Sequence, residues 1–68
     1  MSKVINFLVN SEENNQRIDI ILNNKEKSLS RNRIKNLIID EKLKINGKII
    51  KNPSKKLLLG DKISLEIP

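Results

Sequence analysis

The apolar residues of this chain occur in short groups, and their spacing alternates between that of strands and that of helices. Residues 3–9 (KVINFLV) are rich in β-branched side chains and predict a strand at the edge of a sheet. The stretch RIDIILN at residues 17–23 follows a polar loop. Its Ile18, Ile21 and Leu22 have the i, i+3, i+4 spacing of one helix face, so we expect a short helix there, with a strand as the alternative.

A second helix is predicted over residues 31–41, and its start carries clear signals. Ser30 is a favoured N-cap, because its hydroxyl can accept a hydrogen bond from an exposed amide of the first turn. Leu29 and Ile34 occupy the two positions of a hydrophobic staple, which fixes the angle at which the chain enters the helix. From Ile34 onwards, apolar residues recur at i, i+3 and i+4 and form one stripe over about three turns.

A hairpin is predicted to follow this helix. Residues 43–45 and 48–50 flank Asn46-Gly47, a strong hairpin signal because both turn residues tolerate positive φ.

The chain closes with a predicted strand over residues 63–67, where apolar and polar side chains alternate after a turn at Gly60-Asp61. Taken together, the pattern predicts a single small α+β domain over residues 1–68. In it, two short helices pack on a small, mostly antiparallel sheet.

The composition narrows the possible chemistry. The chain has no His and no Cys, which removes the commonest acid–base group, the usual zinc ligands and any disulfide. Asp40 and Glu41 are adjacent, so on a helix they would point about 100° apart and could not share a proton. Gly47 and Gly60 stand alone and form no phosphate-binding loop. We expect no catalysis by this chain alone, and no cofactor or metal.

No apolar run approaches the roughly 18 residues that a membrane span needs, so we expect a cytoplasmic protein with no membrane partner.

The net charge is +6, and it is unevenly distributed along the chain. Residues 25–56 hold eleven Lys and Arg against three acidic residues, a net +8, so the rest of the chain carries −2. A segregated positive charge of this kind indicates a polyanionic partner.

The first turn of the second helix carries Arg31 and Arg33, where the helix dipole favours acidic residues by roughly 0.3–1 kcal/mol per charge. Exposed amides beside two guanidinium groups suit a phosphate. Lys35 falls within about 40° of Arg31 on the helical wheel, since successive residues are about 100° apart. Phe7 is the one aromatic residue and is expected in the core, so contacts should be with phosphates and sugars of a structured duplex rather than stacked bases. The alternative is an ordinary solvated basic face.

The order and spacing of several short motifs resemble the S4 RNA-binding domain, a module named after a small-subunit ribosomal protein. The resemblance runs from Arg17 to Ile67. The motifs are Arg17-Ile18-Asp19, Leu29-Ser30-Arg31, Ile34 with Leu37-Ile38, Ile45-Asn46-Gly47-Lys48, Pro53-Ser54 and Gly60-Asp61-Lys62-Ile63.

The resemblance implies that two helices and a hairpin form an L-shaped ledge that grips structured RNA. Carried over by position, its RNA-contacting residues are Arg17, Ser30, Arg31, Lys35, Asn46, Gly47 and Lys48. From charge and geometry we add Arg33, Lys44 and Lys51. Asp19 is expected to be a structural partner, since a carboxylate would repel phosphate.

The flanking segments Phe7-Leu8-Val9 and Leu65–Pro68 are similar to the N-terminal domain of RluA-type ribosomal large-subunit pseudouridine synthases. In that family a larger catalytic domain follows and carries an Asp within a His-Arg-Leu-Asp segment, which this chain lacks. The resemblance therefore implies a monomeric, non-catalytic module that binds ribosomal RNA for a catalytic domain lying C-terminal to it in the parent chain.

Two residues depart from the family pattern. Gln16 stands where the family often has a small residue, and Glu41 stands where it usually has Gly. A left-handed cap at Glu41 would cost energy, so we expect the helix to end differently or in a looser turn over residues 40–42.

Three other functions stay open: a stand-alone ribosome- or tRNA-associated S4 protein, a helix-turn-helix DNA binder, and a protein-interaction domain with an exposed apolar patch.

Overall fold

A computed structural model describes residues 2–68, and within them the chain forms two helices and four strands. The α+β class predicted from the sequence is confirmed. In chain order the elements are β1 (Lys3–Leu8), α1 (Ile18–Lys25), α2 (Arg31–Ile39), β2 (Leu43–Ile45), β3 (Lys48–Ile49) and β4 (Lys62–Ile67).

The four strands form one sheet in the order β1-β4-β2-β3, and each neighbouring pair is antiparallel. The last strand of the chain is thus an inner strand, and β1 lies at an edge as expected. Ile63 on β4 is in register with Phe7 on one side and with Ile45 on the other. The sheet therefore joins the two ends of the chain to the central hairpin.

The core lies between the two helices and one face of the sheet. Both predicted helix stripes are buried, and on β4 the alternation is clear, because Ile63 and Leu65 are buried while Lys62 and Glu66 are exposed. The buried side chains are all aliphatic apart from Asp19. They are Val9, Ile18, Ile21, Leu22, Ile34, Leu37, Ile38, Leu43, Ile45, Leu57, Ile63 and Leu65.

Helix α1 starts against a distant part of the chain. Its N-cap is Arg17, whose side chain makes no capping hydrogen bond. Instead the N–H of Ile18 donates to the carbonyl of Lys55 over 2.8 Å. Arg17 and Lys56 form an isolated antiparallel bridge beside it. The segment after the hairpin therefore runs alongside the start of α1, a pairing that the sequence does not predict.

The predicted start of α2 is confirmed, and its end comes two residues earlier than predicted. The N–H of Arg33 donates to the Ser30 hydroxyl oxygen over 3.1 Å, as expected for the N-cap. Leu29 packs against the core, in keeping with a staple. The helix ends at Ile39 with Asp40 as its C-cap.

The expectation that the left-handed cap would be avoided is wrong. Glu41 has a φ of 67°, and its N–H donates to the carbonyl of Ile38 over 3.2 Å. The N–H of Lys42 donates to the carbonyl of Leu37 over 3.0 Å. These two bonds form a Schellman motif, which satisfies carbonyls that the end of a helix would otherwise leave without partners. The motif also leads directly into the buried Leu43, so packing offsets the strain at Glu41.

Relief of this strain should stabilise the fold. We expect Glu41→Gly to raise the free energy of unfolding by about 0.5–1 kcal/mol. The left-handed conformation costs a residue with a Cβ roughly 1–2 kcal/mol, and glycine removes this cost. Part of the gain is lost, because glycine also has more conformational freedom in the unfolded chain. Glu41→Ala is the matched control, since it removes the same carboxylate but keeps the Cβ. Urea unfolding measures both variants. Equal stability of the two would contradict a strained cap.

Candidate nucleic-acid interface

The start of α2 brings together donors and positive charges. Arg31 and Arg33 are exposed, while Ile34 beside them is fully buried and fixes the orientation of the helix. The backbone N–H groups of Arg31 and Asn32 donate to no acceptor within residues 2–68. Ser30 accepts the N–H of Arg33, and its own hydroxyl hydrogen stays available to donate. This turn can therefore offer amide, hydroxyl and guanidinium donors to one anion.

Lys35 continues the same flank of α2 one turn further on and is exposed. On β2, Lys44 is exposed between the buried Leu43 and Ile45, so its side chain leaves the solvent face of the sheet. Lys48 opens β3 and is also exposed. All three ammonium groups can therefore be reached by a ligand.

The hairpin turn has the geometry expected from its sequence. Asn46 and Gly47 have φ values of 54° and 82°, the two positive values of a type I′ turn. A Cβ at Gly47 would meet nothing within 4 Å, so the backbone of the turn is open to solvent.

The Asn46 side chain has a structural task in this turn. Its Nδ2 donates to Asp61 Oδ1 over 3.1 Å, and its Oδ1 accepts the N–H of Lys62 over 2.9 Å. Asn46 therefore holds the turn against the start of β4. A direct contact between Asn46 and a ligand stays a prediction.

Arg17 is held by its neighbour on α1. Its Nε and Nη2 donate to the two carboxylate oxygens of Asp19 over 3.2 and 2.8 Å. Asp19 is only 9% exposed and also accepts the N–H of Ile20. The expectation that Asp19 acts as a structural partner is confirmed.

Lys51 connects the hairpin to the end of α2. Its Nζ lies 3.3 Å from Glu41 Oε1, and both side chains are exposed, so salt screens this pair. The N–H of Ile50 donates to the carbonyl of Leu43 at the base of the hairpin. The hairpin is therefore attached at the C-terminal end of α2. A helix of nine residues is about 14 Å long, so this attachment lies about 14 Å from the start of α2.

We call the accessible groups of α2 and the hairpin the α2–hairpin surface. Its members are Arg31, Arg33, Lys35, Lys44, Gly47 and Lys48. The other predicted site residues border it in the chain: Ser30 at the start of α2, Asn46 in the turn, Lys51 after β3, and Arg17 at the start of α1. It is an extended surface rather than one compact cluster.

Ion pairs separate the cations of this chain into two groups. Four of the fourteen Lys and Arg residues have a carboxylate within 4 Å: Lys3 with Glu26, Arg17 with Asp19, Lys25 with Glu13, and Lys51 with Glu41. In the part of the chain that the structure describes, the other ten have none. Nine of those ten lie between residues 27 and 56. The positive charge of this region is therefore available to an external anion.

Two glutamates hold the lysines outside this surface. The hydrogen bond from Lys3, 2.8 Å long, lowers the pKa of Glu26. Burial raises the pKa of Glu13, but hydrogen bonds from the Asn10 N–H and from Lys25 outweigh it and leave that pKa below its ordinary value. Both carboxylates therefore stay ionised at neutral pH and keep their lysines paired.

Phe7 is part of the structural framework. It is partly buried against the core, and the Nζ of Lys25 lies 4.5 Å from its ring centroid. A nucleobase would need an exposed ring face to stack on. The expectation that Phe7 is a core residue is confirmed in part, because Phe7 packs against the core but is not one of its fully buried members.

Lys56 is a candidate that the sequence prediction missed. It is exposed and lies opposite Arg17 in the isolated bridge. The two residues are far apart in the chain, so no local pattern could have placed them together.

Within residues 2–68 neither a metal-holding group of acidic side chains nor a helix with the length and apolarity of a membrane span occurs.

The similarity of this chain to known proteins bears on the function of this surface. Residues 16–63 match the family model of the S4 domain. Over 68 residues the chain is 34% identical to a protein of Aquifex aeolicus (strain VF5) described as an uncharacterized RNA pseudouridine synthase. That match covers 100% of this chain and 21% of the relative, so the chain spans about a fifth of the relative's length.

Proposed function

Because this chain belongs to the S4 domain family, we propose that it binds structured RNA through the α2–hairpin surface. The observation that carries the proposal is the start of α2. There Arg31 and Arg33 have no carboxylate partner within the described residues, although the helix dipole disfavours cations at this position. Local choices that cost stability without a structural return are typical of functional sites. A phosphate bound between the two guanidinium groups and the exposed amides would turn this unfavourable interaction with the helix dipole into a favourable one.

The proposed mode of binding is contact with the sugar–phosphate backbone. The surface offers Lys and Arg side chains, one hydroxyl and backbone N–H groups, which are the donors that proteins use for phosphates. It offers no aromatic ring, since Phe7 is the only one in the chain and lies against the core. Recognition should therefore depend on the shape of a folded RNA, with sequence read little or not at all.

The proposed setting is a pseudouridine synthase that acts on ribosomal RNA. The relative's description as an RNA pseudouridine synthase supports the synthase setting. The flanking segments, which are similar to RluA-type ribosomal large-subunit synthases, favour ribosomal RNA. In this setting the chain is a monomeric module in the cytoplasm that catalyses nothing itself. It holds the RNA while a catalytic domain elsewhere in the parent protein acts on the uridine.

The test is a titration of the chain against a folded ribosomal-RNA hairpin and a duplex DNA of equal length. Fluorescence anisotropy at several salt concentrations gives the affinity and the slope of log K against log salt. We expect tighter binding to RNA, with a slope of several units, because each phosphate contact contributes about 0.7–0.9 to the slope.

Two results would contradict the proposal. Equal affinity for both nucleic acids would indicate a general basic surface and favour DNA binding as the competing function. No binding to either would mean that the positive charge has no nucleic-acid partner.

A further inference from the structure

We propose that Arg17 and Lys56 form a second phosphate-binding pair, separate from the start of α2. The pair would take a phosphodiester of the same RNA, so the inference rests on the proposed function. It adds Lys56, which no motif of the sequence singles out, and it gives the RNA a second point of attachment on the domain.

The backbone places the two side chains next to each other. Arg17 and Lys56 are directly opposite in an antiparallel bridge. The bonds on either side, from Ile18 N–H to Lys55 and from Leu57 N–H to Gln16, are both 2.8 Å long. This is the arrangement of a non-hydrogen-bonded pair, in which Cα atoms approach to about 4.5 Å and side chains are closest.

The neighbours of the pair fix the direction in which it points. Ile18 and Leu57 follow Arg17 and Lys56 in the chain, and both are fully buried. Successive side chains of an extended segment point to opposite faces. Arg17 and Lys56 are therefore directed away from the core, and both are exposed.

Such a pair costs stability in the free protein, because like charges directly opposite each other repel. Lys56 has no carboxylate within 4 Å among residues 2–68, and the Asp19 carboxylate is already occupied by Arg17. Arg17 is thus compensated by Asp19, whereas the charge of Lys56 opposite it has no carboxylate partner among residues 2–68. An anion bound across both would remove the repulsion.

Asp19 leaves Arg17 with donors to spare. A guanidinium carries five N–H donors, and Asp19 takes one from Nε and one from Nη2. The remaining three lie on an exposed side chain whose orientation is fixed. Asp19 itself is only 9% exposed and also accepts the N–H of Ile20, so little of its carboxylate is accessible to a bound phosphate.

The pair also lies close along the chain to the α2–hairpin surface. The N–H of Asp19 donates to the carbonyl of Pro53, which follows Lys51 after the hairpin. The domain measures 31 × 22 × 19 Å, so one folded RNA can reach both places at once. We therefore expect one RNA to contact both the pair and the α2–hairpin surface.

The experiment compares variants of Lys56 in the RNA titration and in thermal unfolding. Lys56→Ala should weaken binding about five- to eightfold at ~0.1 M monovalent salt and lower the salt slope by nearly one, as expected for one lost phosphate contact. Lys56→Arg should bind like the wild type. Lys56→Glu should weaken binding further and yet raise the unfolding midpoint, because a carboxylate opposite Arg17 replaces repulsion with attraction.

The control is Lys3→Ala, which removes the same unit of charge. Lys3 is paired with Glu26 at the opposite end of α1, so this variant should keep the wild-type salt slope. If Lys56→Ala keeps wild-type affinity while Arg31→Ala weakens it, the second pair is refuted and the proposed function stands. If the wild type does not bind RNA, both proposals fail.

Discussion

Leu65→Ala should leave a large fraction of the protein unfolded at 25 °C. Leu65 is fully buried on β4, in register with Ile5 on one side and with Leu43 on the other. Truncation of such a leucine costs roughly 2–5 kcal/mol, from lost burial and from the cavity it leaves. A domain of this size has only about 3–5 kcal/mol of stability from a single core. The expected loss therefore approaches the whole stability of the fold.

Circular dichroism with urea titration would measure this effect. Glu66→Ala is the matched control, because Glu66 is the next residue on the same strand and its side chain is exposed. Exposed substitutions usually change stability by less than about 0.5 kcal/mol. A cost below about 1 kcal/mol for Leu65→Ala would mean that the core does not depend on the inner strand as the structure indicates.

The parts of this fold that the sequence predicts are those with local causes. The hydrophobic spacing of α1 and α2 is set within single helices, and the Ser30 cap bonds a residue three positions away. The Asn46-Gly47 turn is fixed by the backbone freedom of its own two residues. Each signal is complete within a few residues, so a single sequence is sufficient to interpret it.

The parts that the sequence does not predict depend on distant packing. The strained Glu41 is a locally poor choice, but Leu43 must reach the core and the Schellman bonds fix the route. The bridge between Arg17 and Lys56 joins segments that only the folded chain brings together. Tertiary contacts overrode local preference in the first case and created the pairing in the second.

The candidate site shows the same division. The sequence is enough to count the cations and to place Arg31 beside Lys35 on one helix face. It cannot show which cations are already neutralised. Lys25 and Lys51 lie in the basic region and have carboxylate partners, whereas Arg31 has none within the described residues. The ion pairs in the structure are therefore needed to tell which cations are free to bind RNA.

Arg31→Glu with Lys35→Glu should reduce RNA affinity by at least about 100-fold at ~0.1 M monovalent salt. Loss of the two phosphate contacts alone predicts roughly 25- to 60-fold, since each is worth about five- to eightfold at this salt concentration. Two carboxylates facing the RNA then add repulsion. Anisotropy titration against the folded RNA measures the affinity, and the salt slope should fall by nearly two units.

Loss of the fold cannot explain this result. Arg31→Glu places an acidic residue in the first turn of α2, where it is favoured by about 0.3–1 kcal/mol. Lys35 is exposed, and exposed substitutions usually change stability by less than about 0.5 kcal/mol. We therefore expect the double variant to unfold at the wild-type temperature or above. The control is Lys3→Ala with Lys25→Ala, matched in charge to Arg31→Ala with Lys35→Ala. Both control lysines contact carboxylates and lie outside the α2–hairpin surface, so their removal lowers the net charge by the same two units without removing a proposed phosphate contact. Equal losses from the two neutralised pairs would show that binding follows net charge, and that α2 is not the site of contact.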